Sequence, residues 1–340
     1  MPVVRIGGTP HPGCPTSGVI VKAIVYEQYG PPEVLEMREV DTPVLGDRDV
    51  LIRVETASVN RSDWEGLIGK PLYARFGGLR RPRRRILGSD VAGRVVEVGS
   101  AVESFRLGDD VFGDVMYHGG SAFAEYVSVP ETAPIIHKPA TLSFAEASTL
   151  PQAGLIALQG MSGKIEPGDR VLVNGAGGGA GAFAVQMAKA KGAEVTGVDN
   201  SLKQEFMRSL GADHVIDYTR TDYTKTATRY DFILDLVCER SIFAIRRVVA
   251  PGGRYALVGG SMRALLSAAT VGQLLSTGGR RIGVLMVRPD KEDLLRVAEM
   301  VVAGALHTFI ERTYPLDRVP EALRHLGEGR ALGKLVIEVG

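Results

Sequence analysis

The most constraining feature of the sequence is a glycine-rich turn between an apolar strand-like run and a helix of small residues. Residues 171–173 are apolar, residues 175–181 include five glycines, and residues 182–191 are typical of a helix. The register Ala176-x-Gly178-x-x-Gly181 lets the backbone approach a pyrophosphate at Gly178 and lets helix and strand pack closely at Gly181. Because free N–H groups and the helix dipole stabilise phosphate there, we predict a dinucleotide-binding turn.

Asp199 lies 18 residues after Gly181, at the end of the next strand-like run, residues 194–199. An acidic side chain there accepts from a ribose 2′-hydroxyl and repels a 2′-phosphate, which favours NAD over NADP. Against this, Lys203, Arg208 and Tyr218 are close enough in sequence to hold a 2′-phosphate. A helix N-cap for residues 201–210 is the alternative role of Asp199. The predicted cofactor is NADH or NADPH, with a slight preference for NAD.

Strand and helix patterns alternate from residue 170 onward. Such alternation predicts βαβ units with right-handed crossovers and a parallel sheet. The predicted strands are 170–173, 194–199, 215–216, 232–236 and 254–258, and the predicted helices are 182–191, 203–210 and 242–249.

Before residue 140 the chain instead shows short strand patterns broken by Gly, Pro and Asp, with almost no helical period. These strands are predicted at 21–26, 50–56, 91–99 and 110–113. Ser143 and Glu146 have the spacing of a capping box, which predicts that a helix begins there. We therefore expect an α/β protein with an irregular β domain followed by a doubly wound domain.

Charge and cysteine content exclude several function classes. The 40 Lys and Arg residues and 39 Asp and Glu residues give a net charge of +1, so the chain has no general attraction to nucleic acid or to anionic membranes. Cys14 and Cys238 are its only cysteines, which favours a reduced, cytoplasmic setting. Residues 1–20 lack a signal-peptide pattern and are predicted to be an extension, and no apolar run is long enough for a membrane span.

Several ordered motifs resemble the medium-chain dehydrogenase/reductase superfamily, in its zinc-free, quinone-oxidoreductase-like branch. The resemblance covers residues 21–340 and rests, besides the glycine turn, on residues 57–64, 87–93, 108–113, 210–218 and 333–334. It implies a GroES-like β-barrel catalytic domain over residues 21–142, to which residues 310–340 return, and a Rossmann domain over residues 143–309. It also implies a nicotinamide site in the cleft and a homodimer formed through Rossmann edge strands. Residues 282–287 are either that edge or an ordinary core strand.

Positions that hold zinc in metal-dependent relatives carry Asn60, Ser89 and Thr149 here. These are poor zinc ligands, so we predict no metal. Without zinc, hydride transfer to a plain carbonyl loses charge stabilisation, whereas a quinone or an α,β-unsaturated carbonyl delocalises the incoming charge itself. The resemblance and this chemistry together predict an NAD(P)H-dependent reductase of such small molecules. The alternatives are a non-catalytic nucleotide-binding protein, either crystallin-like or RNA-associated, and an alcohol dehydrogenase.

Asn60 is the first predicted catalytic residue, because its amide can donate to a developing oxyanion or to the nicotinamide ribose; a turn-forming Asn is the alternative. Asp63 is the second, either in proton transfer or in organising the loop. Trp64 either lines the substrate pocket or fills the barrel edge, and Glu65 occupies the place of a tyrosine found in relatives. The residues predicted to contact the cofactor are Thr149, Gly178, Gly179, Ala180, Gly181, Asp199, Asn200, Lys203, Tyr218, Val258, Gly259 and Lys334.

The segment 75–85 holds six arginines. A solvated loop is the usual interpretation of such a charge run. Its position between two cleft motifs also suits a lid that attracts an anionic substrate or the cofactor phosphates, and nucleic-acid binding is the weakest alternative.

Overall fold

The structure is a computed structural model that describes residues 20–75, 78–162 and 165–340. Of the predicted N-terminal extension, residues 1–19 lie outside the described residues. The strands are β1 (Ile20–Val25), β2 (Glu36–Asp41), β3 (Asp49–Ser58), β4 (Asp90–Val98), β5 (Asp110–Asp114), β6 (Tyr126–Pro130), β7 (Ile135–His137), β8 (Arg170–Asn174), β9 (Glu194–Asp199), β10 (His214–Asp217), β11 (Tyr230–Asp235), β12 (Val249–Leu257), β13 (Arg281–Val284), β14 (Ile310–Pro315) and β15 (Lys334–Glu338).

The helices are α1 (Arg61–Ile68), α2 (Phe144–Ser148), α3 (Pro151–Met161), α4 (Gly179–Ala190), α5 (Gln204–Ser209), α6 (Ile242–Val248), α7 (Met262–Ala269), α8 (Val271–Leu274), α9 (Lys291–Val302) and α10 (Val319–Gly327). The capping box predicted before α2 is confirmed, since Ser143 Oγ accepts from the Glu146 N–H. Within the described ranges, no helix has both the length and the apolar character needed to cross a membrane.

A six-stranded sheet with the order β10-β9-β8-β11-β12-β13 carries the glycine turn. All of its pairings are parallel, and the order is the 3-2-1-4-5-6 arrangement of dinucleotide-binding domains. Alternate residues of β8 enter different cores: Val171 and Val173 pack on one face and Leu172 on the other. The predicted α/β class and doubly wound sheet are confirmed. Strand β13, which contains part of the 282–287 run, lies at the edge of this sheet.

A seven-stranded antiparallel-rich sheet forms the other core, around strand β3. β3 pairs with β4 and β6 and, through Ala57 and Ser58, with the C-terminal strand β15. The last strand of the chain is therefore part of the N-terminal barrel sheet. Because β15 begins at Lys334, the pairing places this lysine directly beside the end of β3.

Helix α1 lies in the region that shows almost no helical period in the sequence, where no helix was predicted. It begins after Asn60, whose N–H donates to the Asp63 carboxylate at 2.8 Å in a capping arrangement. Trp64 packs with the barrel core, and its ring would be 2.5 Å from a Cβ at Gly327 on α10. Of the two roles considered for Trp64, the structure therefore favours filling the barrel edge.

Candidate active site

The turn that leads into α4 has close backbone contacts and backbone amides that lie outside the helical bonding pattern. The first intrahelical bond runs from the Ala182 N–H to the Gly178 carbonyl at 2.8 Å, so the amides of residues 179–181 precede the helical bonding pattern. A Cβ at Gly181 would lie 2.1 Å from the Gly175 carbonyl oxygen. This contact confirms why the helix start requires glycine at that position.

The C-terminal strand crosses this turn and brings Lys334 to it. Gly333 forms a parallel bridge with Gly178 and donates to the Gly177 carbonyl at 3.0 Å. The side-chain Cδ of Lys334 lies 2.6 Å from the position that a Cβ on Gly179 would occupy. The predicted cofactor contacts Gly178, Gly179 and Lys334 thus come together at the start of α4.

The Lys334 ammonium points from the turn into the barrel domain. It donates to Asn60 Oδ1 at 2.6 Å and to the Val59 carbonyl at 3.2 Å, and it lies 3.6 Å from Asp90 Oδ2. Only 3% of Lys334 is exposed. The ammonium therefore links the predicted phosphate-binding turn to the residue predicted as the first catalytic group.

The amide of Asn60 is fully engaged within the protein. Its Nδ2 donates to Asp90 Oδ2 at 2.8 Å and to Ser89 Oγ at 3.1 Å, while Oδ1 accepts from Lys334. In this arrangement both amide hydrogens are directed to protein oxygens, so Asn60 holds Lys334 and Asp90 in place. Its predicted donation to a substrate oxyanion stays a prediction.

Three buried carboxyl groups surround this lysine. Burial raises the pKa of Asp63 to about 7, against the opposing hydrogen bond from the Asn60 N–H. Burial raises the pKa of Asp114 to about 7 and also raises the pKa of Asp90, where the Lys334 charge opposes it. Burial conversely lowers the pKa of Lys334. Three acids and one base buried together favour neutral forms for part of the set.

Asp90 is one of the site residues that were not singled out from the sequence. Its Oδ2 accepts from Ser58 Oγ at 3.0 Å as well as from Asn60, and its Oδ1 accepts from the Gln152 N–H at 3.1 Å. An Asp that opens a strand whose next two residues, Val91 and Ala92, are apolar was the available signal. Thr149, three residues before Gln152, is fully buried, and its hydroxyl donates to the Glu146 carbonyl at 2.6 Å.

Asp199 and Lys203 form a buried ion pair beside the turn, with Oδ1 and Nζ 3.5 Å apart. Asp199 Oδ2 also accepts from the Gly177 N–H at 3.1 Å. The N-cap role considered for Asp199 was wrong, because Asn200 accepts from the Leu202 N–H and starts the following turn. Tyr218 lies next to this pair, since its N–H donates to the Asp199 carbonyl at 3.1 Å, and its side chain is exposed.

Val258 and Gly259 follow β12, at the same edge of the sheet. The Val258 N–H donates to the Asp235 carbonyl at 2.9 Å. A Cβ at Gly259 would lie 3.9 Å from the Tyr73 hydroxyl, which belongs to the barrel domain. Tyr73 was not singled out from the sequence, because no local pattern connects it with residue 259. The two domains therefore face each other across this part of the cleft.

The arginine-rich segment lies on the surface, and its residues Phe76 and Gly77 are outside the described residues. Arg75 donates to the Gly69 carbonyl at 2.8 Å and stacks on the Tyr29 ring. Arg84 bonds to the Met116 carbonyl. Arginines 80, 81, 83, 84 and 85 are exposed, as the solvated-loop interpretation expects.

Comparison with known proteins agrees with this geometry. The family described as alcohol dehydrogenase GroES-like domain matches residues 46–140, and that described as zinc-binding dehydrogenase matches residues 210–337. A chloroplastic quinone oxidoreductase of Triphysaria versicolor is 30% identical over 95% of this chain and 99% of its own length. The chain belongs to the medium-chain dehydrogenase/reductase superfamily, in its quinone-oxidoreductase-like branch.

Two further members of the superfamily cover nearly the whole chain. An NADPH-dependent alkenal/one oxidoreductase from the chloroplast of Arabidopsis thaliana is 31% identical over 93% of this chain and 79% of its own length. The structure of the quinone oxidoreductase from Coxiella burnetii aligns with a TM-score of 0.86 at 31% identity, covering 95% of this chain and 100% of that one. The predicted GroES-like and Rossmann-type architecture is confirmed.

The zinc-binding description of one matching family does not fit the donor groups of this site. Asn60 and Ser89 hydrogen-bond to each other at 3.1 Å and offer an amide and a hydroxyl, which are poor zinc ligands. Cys238, the cysteine within the described residues, is buried in the Rossmann domain. Among residues 20–75, 78–162 and 165–340, no three His, Cys, Asp or Glu side chains are grouped to hold a metal ion.

Proposed function

We propose that the protein is a zinc-independent NAD(P)H-dependent oxidoreductase that reduces quinones or α,β-unsaturated carbonyl compounds. The observation that carries the proposal is the contact between the phosphate-binding turn and Asn60 through Lys334. It joins the predicted cofactor site to a cleft that has amide and hydroxyl groups where metal-dependent relatives have ligands. The printed names of the relatives, which include quinone oxidoreductases and an alkenal/one oxidoreductase, support this substrate class.

Each part of the site has a distinct task in this proposal. The amides of residues 179–181 hold the pyrophosphate beside the stem of Lys334, and Val258 and Gly259 flank the nicotinamide. When bound, the reduced cofactor supplies a hydride. Asn60 and Asp63 fix the position of Lys334 and of the loop before α1. A conjugated acceptor spreads the added charge over its own oxygen, so orientation and hydrogen bonding replace metal polarisation.

The preference between NADH and NADPH rests on the ion pair of Asp199 and Lys203. The carboxylate alone favours NAD. However, the ammonium 3.5 Å away offsets its repulsion of a 2′-phosphate, and Tyr218 is exposed beside it. We propose that both cofactors bind and that the slight preference for NAD depends on Asp199. Parallel titrations with NADH and NADPH measure this preference directly.

The experiment that tests the function is oxidation of NADH and NADPH with a panel of quinones, enals and enones, together with elemental analysis for zinc. We expect turnover with at least one acceptor class and less than stoichiometric zinc. Cofactor binding without turnover on any acceptor would support the non-catalytic alternative. Stoichiometric zinc would favour the alcohol dehydrogenase alternative instead.

Assembly and setting are part of the same proposal. We propose a homodimer formed through β13, because this strand lies at the edge of the six-stranded sheet and an unpaired edge is a template for strand pairing. The partner in catalysis is a small molecule, with no role for nucleic acid or a membrane. A cytoplasmic location remains the prediction from cysteine scarcity.

A further inference from the structure

The hydroxyl group of Ser89 is a buried donor beside Asn60 that the protein does not use. Ser89 Oγ accepts from Asn60 Nδ2 at 3.1 Å, so its own hydrogen points away from Asn60. Within residues 20–75, 78–162 and 165–340 this hydroxyl donates to no acceptor, although only 2% of Ser89 is exposed. A buried donor without an acceptor costs free energy, which an oxygen bound against it would recover.

Gln152 supplies a second donor, whose present acceptor is weak. Ser62 Oγ donates to Gln152 Oε1 at 2.8 Å, which fixes the orientation of the amide group. The amide hydrogen-bonds with the Asp114 side chain, and Nε2 also donates to Met116 Sδ at 3.5 Å. Because a thioether sulfur is a weak acceptor, an oxygen placed there would form the stronger bond with this hydrogen.

The two donors lie in one hydrogen-bonded network at the cleft. The Gln152 N–H donates to Asp90 Oδ1 at 3.1 Å, and Asp90 Oδ2 accepts from Asn60 Nδ2 at 2.8 Å. The same Nδ2 holds Ser89. Gln152 also lies in the first turn of α3, where the helix dipole favours a negative charge. This is the part of the cleft where the proposed function has amide and hydroxyl groups in place of a metal.

We infer that the Ser89 hydroxyl and the Gln152 amide together bind the carbonyl oxygen of the acceptor and stabilise the negative charge that reduction places on it. Ser62 and Asn60 are positioning residues, because each fixes the orientation of one donor. The inference rests on the proposed function and names the hydrogen-bond donors that it requires. It also moves the oxyanion contact predicted for Asn60 to the two neighbours whose hydrogens are available.

The reduction step balances without an acid from the protein. The β-carbon of an enone receives the hydride that the reduced cofactor supplies as it is oxidised to NAD(P)⁺. The electron pair displaced from the C=C bond moves through the conjugated system onto the carbonyl oxygen. That oxygen accepts hydrogen bonds from Ser89 and Gln152, whose hydrogens stay on their own atoms. The enolate then takes one proton from solvent and becomes the saturated ketone. A quinone likewise gives a hydroquinone anion, which takes one proton from solvent.

The test compares Ser89→Ala and Gln152→Met with Ser148→Ala as the matched control. Ser148 is fully buried, and its hydroxyl donates to the Ala145 carbonyl at 2.9 Å. Removing one donor from an oxyanion site typically lowers kcat by about 10²–10³-fold, so we expect each test variant to lose about 10²-fold in kcat with an enone. KM should change much less, because the bonds strengthen as the charge develops. The loss should be smaller with a quinone, since the hydroquinone anion spreads its charge over an aromatic ring.

A binding measurement separates the two donors from turnover. The probe is 4-nitrophenolate, an oxyanion, added to the protein without cofactor and followed by its absorbance. One hydrogen bond to a charged group is worth about 10-fold to 100-fold in affinity, so Ser89→Ala and Gln152→Met should each weaken probe binding by such a factor. Gln152→Glu keeps an acceptor for Ser62 but places a carboxylate against the probe, so binding should be lost.

Cofactor affinity, measured by fluorescence titration, should be unchanged and shows that each variant is folded. If Ser89→Ala fails this check, the half-buried Gln152 decides alone. Unchanged probe binding, an equal loss in Ser148→Ala, or an enone kcat that neither test variant lowers would overturn the inference. A wild type that reduces no acceptor refutes the proposed function instead, and the probe still decides whether the two donors bind an oxyanion.

Discussion

Replacing Lys334 by Met should destabilise the barrel domain strongly. The ammonium lies 3.6 Å from Asp90 Oδ2, and 3% of Lys334 and none of Asp90 is exposed. Removing one partner of a buried pair costs about 3–5 kcal/mol, because the other charge remains buried without compensation. Asp90 retains bonds from Ser58 and Asn60, so we expect a loss near the lower end, about 3 kcal/mol of the free energy of unfolding.

The double variant Lys334→Met with Asp90→Asn separates the pair from general damage. It removes the stranded carboxylate, so its loss should be smaller than the sum of the two single losses. Groups in direct contact couple by about 0.5–3 kcal/mol, and burial places this pair in the upper half of that range. The Met and Asn side chains of the double variant carry no charge, so no buried charge is left without a partner when this variant folds.

Urea unfolding followed by tryptophan fluorescence is a suitable assay. Trp64 is the only tryptophan in the sequence and packs with the barrel core, so it reports the domain that contains Asp90. Strict additivity of the two single losses would refute the reasoning. So would a loss below about 1 kcal/mol for Lys334→Met, since that value is typical of an exposed pair.

Three further predictions concern the turn, the pH dependence and the cofactor. Gly181→Ala places a methyl group 2.1 Å from the Gly175 carbonyl oxygen, so cofactor affinity measured by fluorescence titration should fall at least tenfold. Gly283→Ala is the control and should leave the affinity unchanged, because no atom lies within 4 Å of a Cβ at that position. Burial raises the pKa of Asp63 to about 7, so between the pKa of the unfolded state and pH 7 the native state binds one more proton than the unfolded state. The free energy of unfolding of the wild type should therefore fall as the pH rises through this range, with a contribution from Asp63 of up to about 1.4 kcal/mol per pH unit. In urea titrations from pH 4 to pH 7, Asp63→Asn should have a shallower slope than wild type, because only the contribution of Asp114, whose pKa burial also raises to about 7, remains. A constant difference from wild type would contradict the assignment. Lys203→Ala frees the Asp199 carboxylate 3.5 Å away, so the ratio of the NADPH to the NADH dissociation constant should rise severalfold; an unchanged ratio would exclude the pair from cofactor choice.

The glycine turn could be predicted because its information is local. A strand, a turn and a helix start follow one another in the chain. The close backbone approach at position 181 requires a glycine, which is visible in the sequence. The βαβ alternation was predictable for the same reason. Helix α1 was missed because its eight residues are too few for a clear period, although Asn60 and Asp63 have the spacing of a cap.

The site around Asn60 could be predicted only in part. Asn60 and Lys334 were each singled out, but their contact joins residues 274 positions apart. The burial of Asp90 and the meeting of Tyr73 with Gly259 depend on how two domains pack, which single-chain patterns do not encode. Buried polar networks of this kind depend on tertiary geometry. Sequence patterns therefore identified residues of the network but not which of them contact each other.

The bridge between Gly333 and Gly178 also restricts how the cleft can move. The strand that makes it continues into β15 and pairs with β3, so a single backbone segment ties the phosphate-binding turn to the barrel. Any opening between the domains must then pivot near this tie, where displacements are smallest. The approach of the Tyr73 hydroxyl to Gly259 involves no such shared backbone segment, so it can open while the bridge stays closed. Substrate should therefore enter and product should leave on the Tyr73 side, while the cofactor phosphates stay anchored at the pivot.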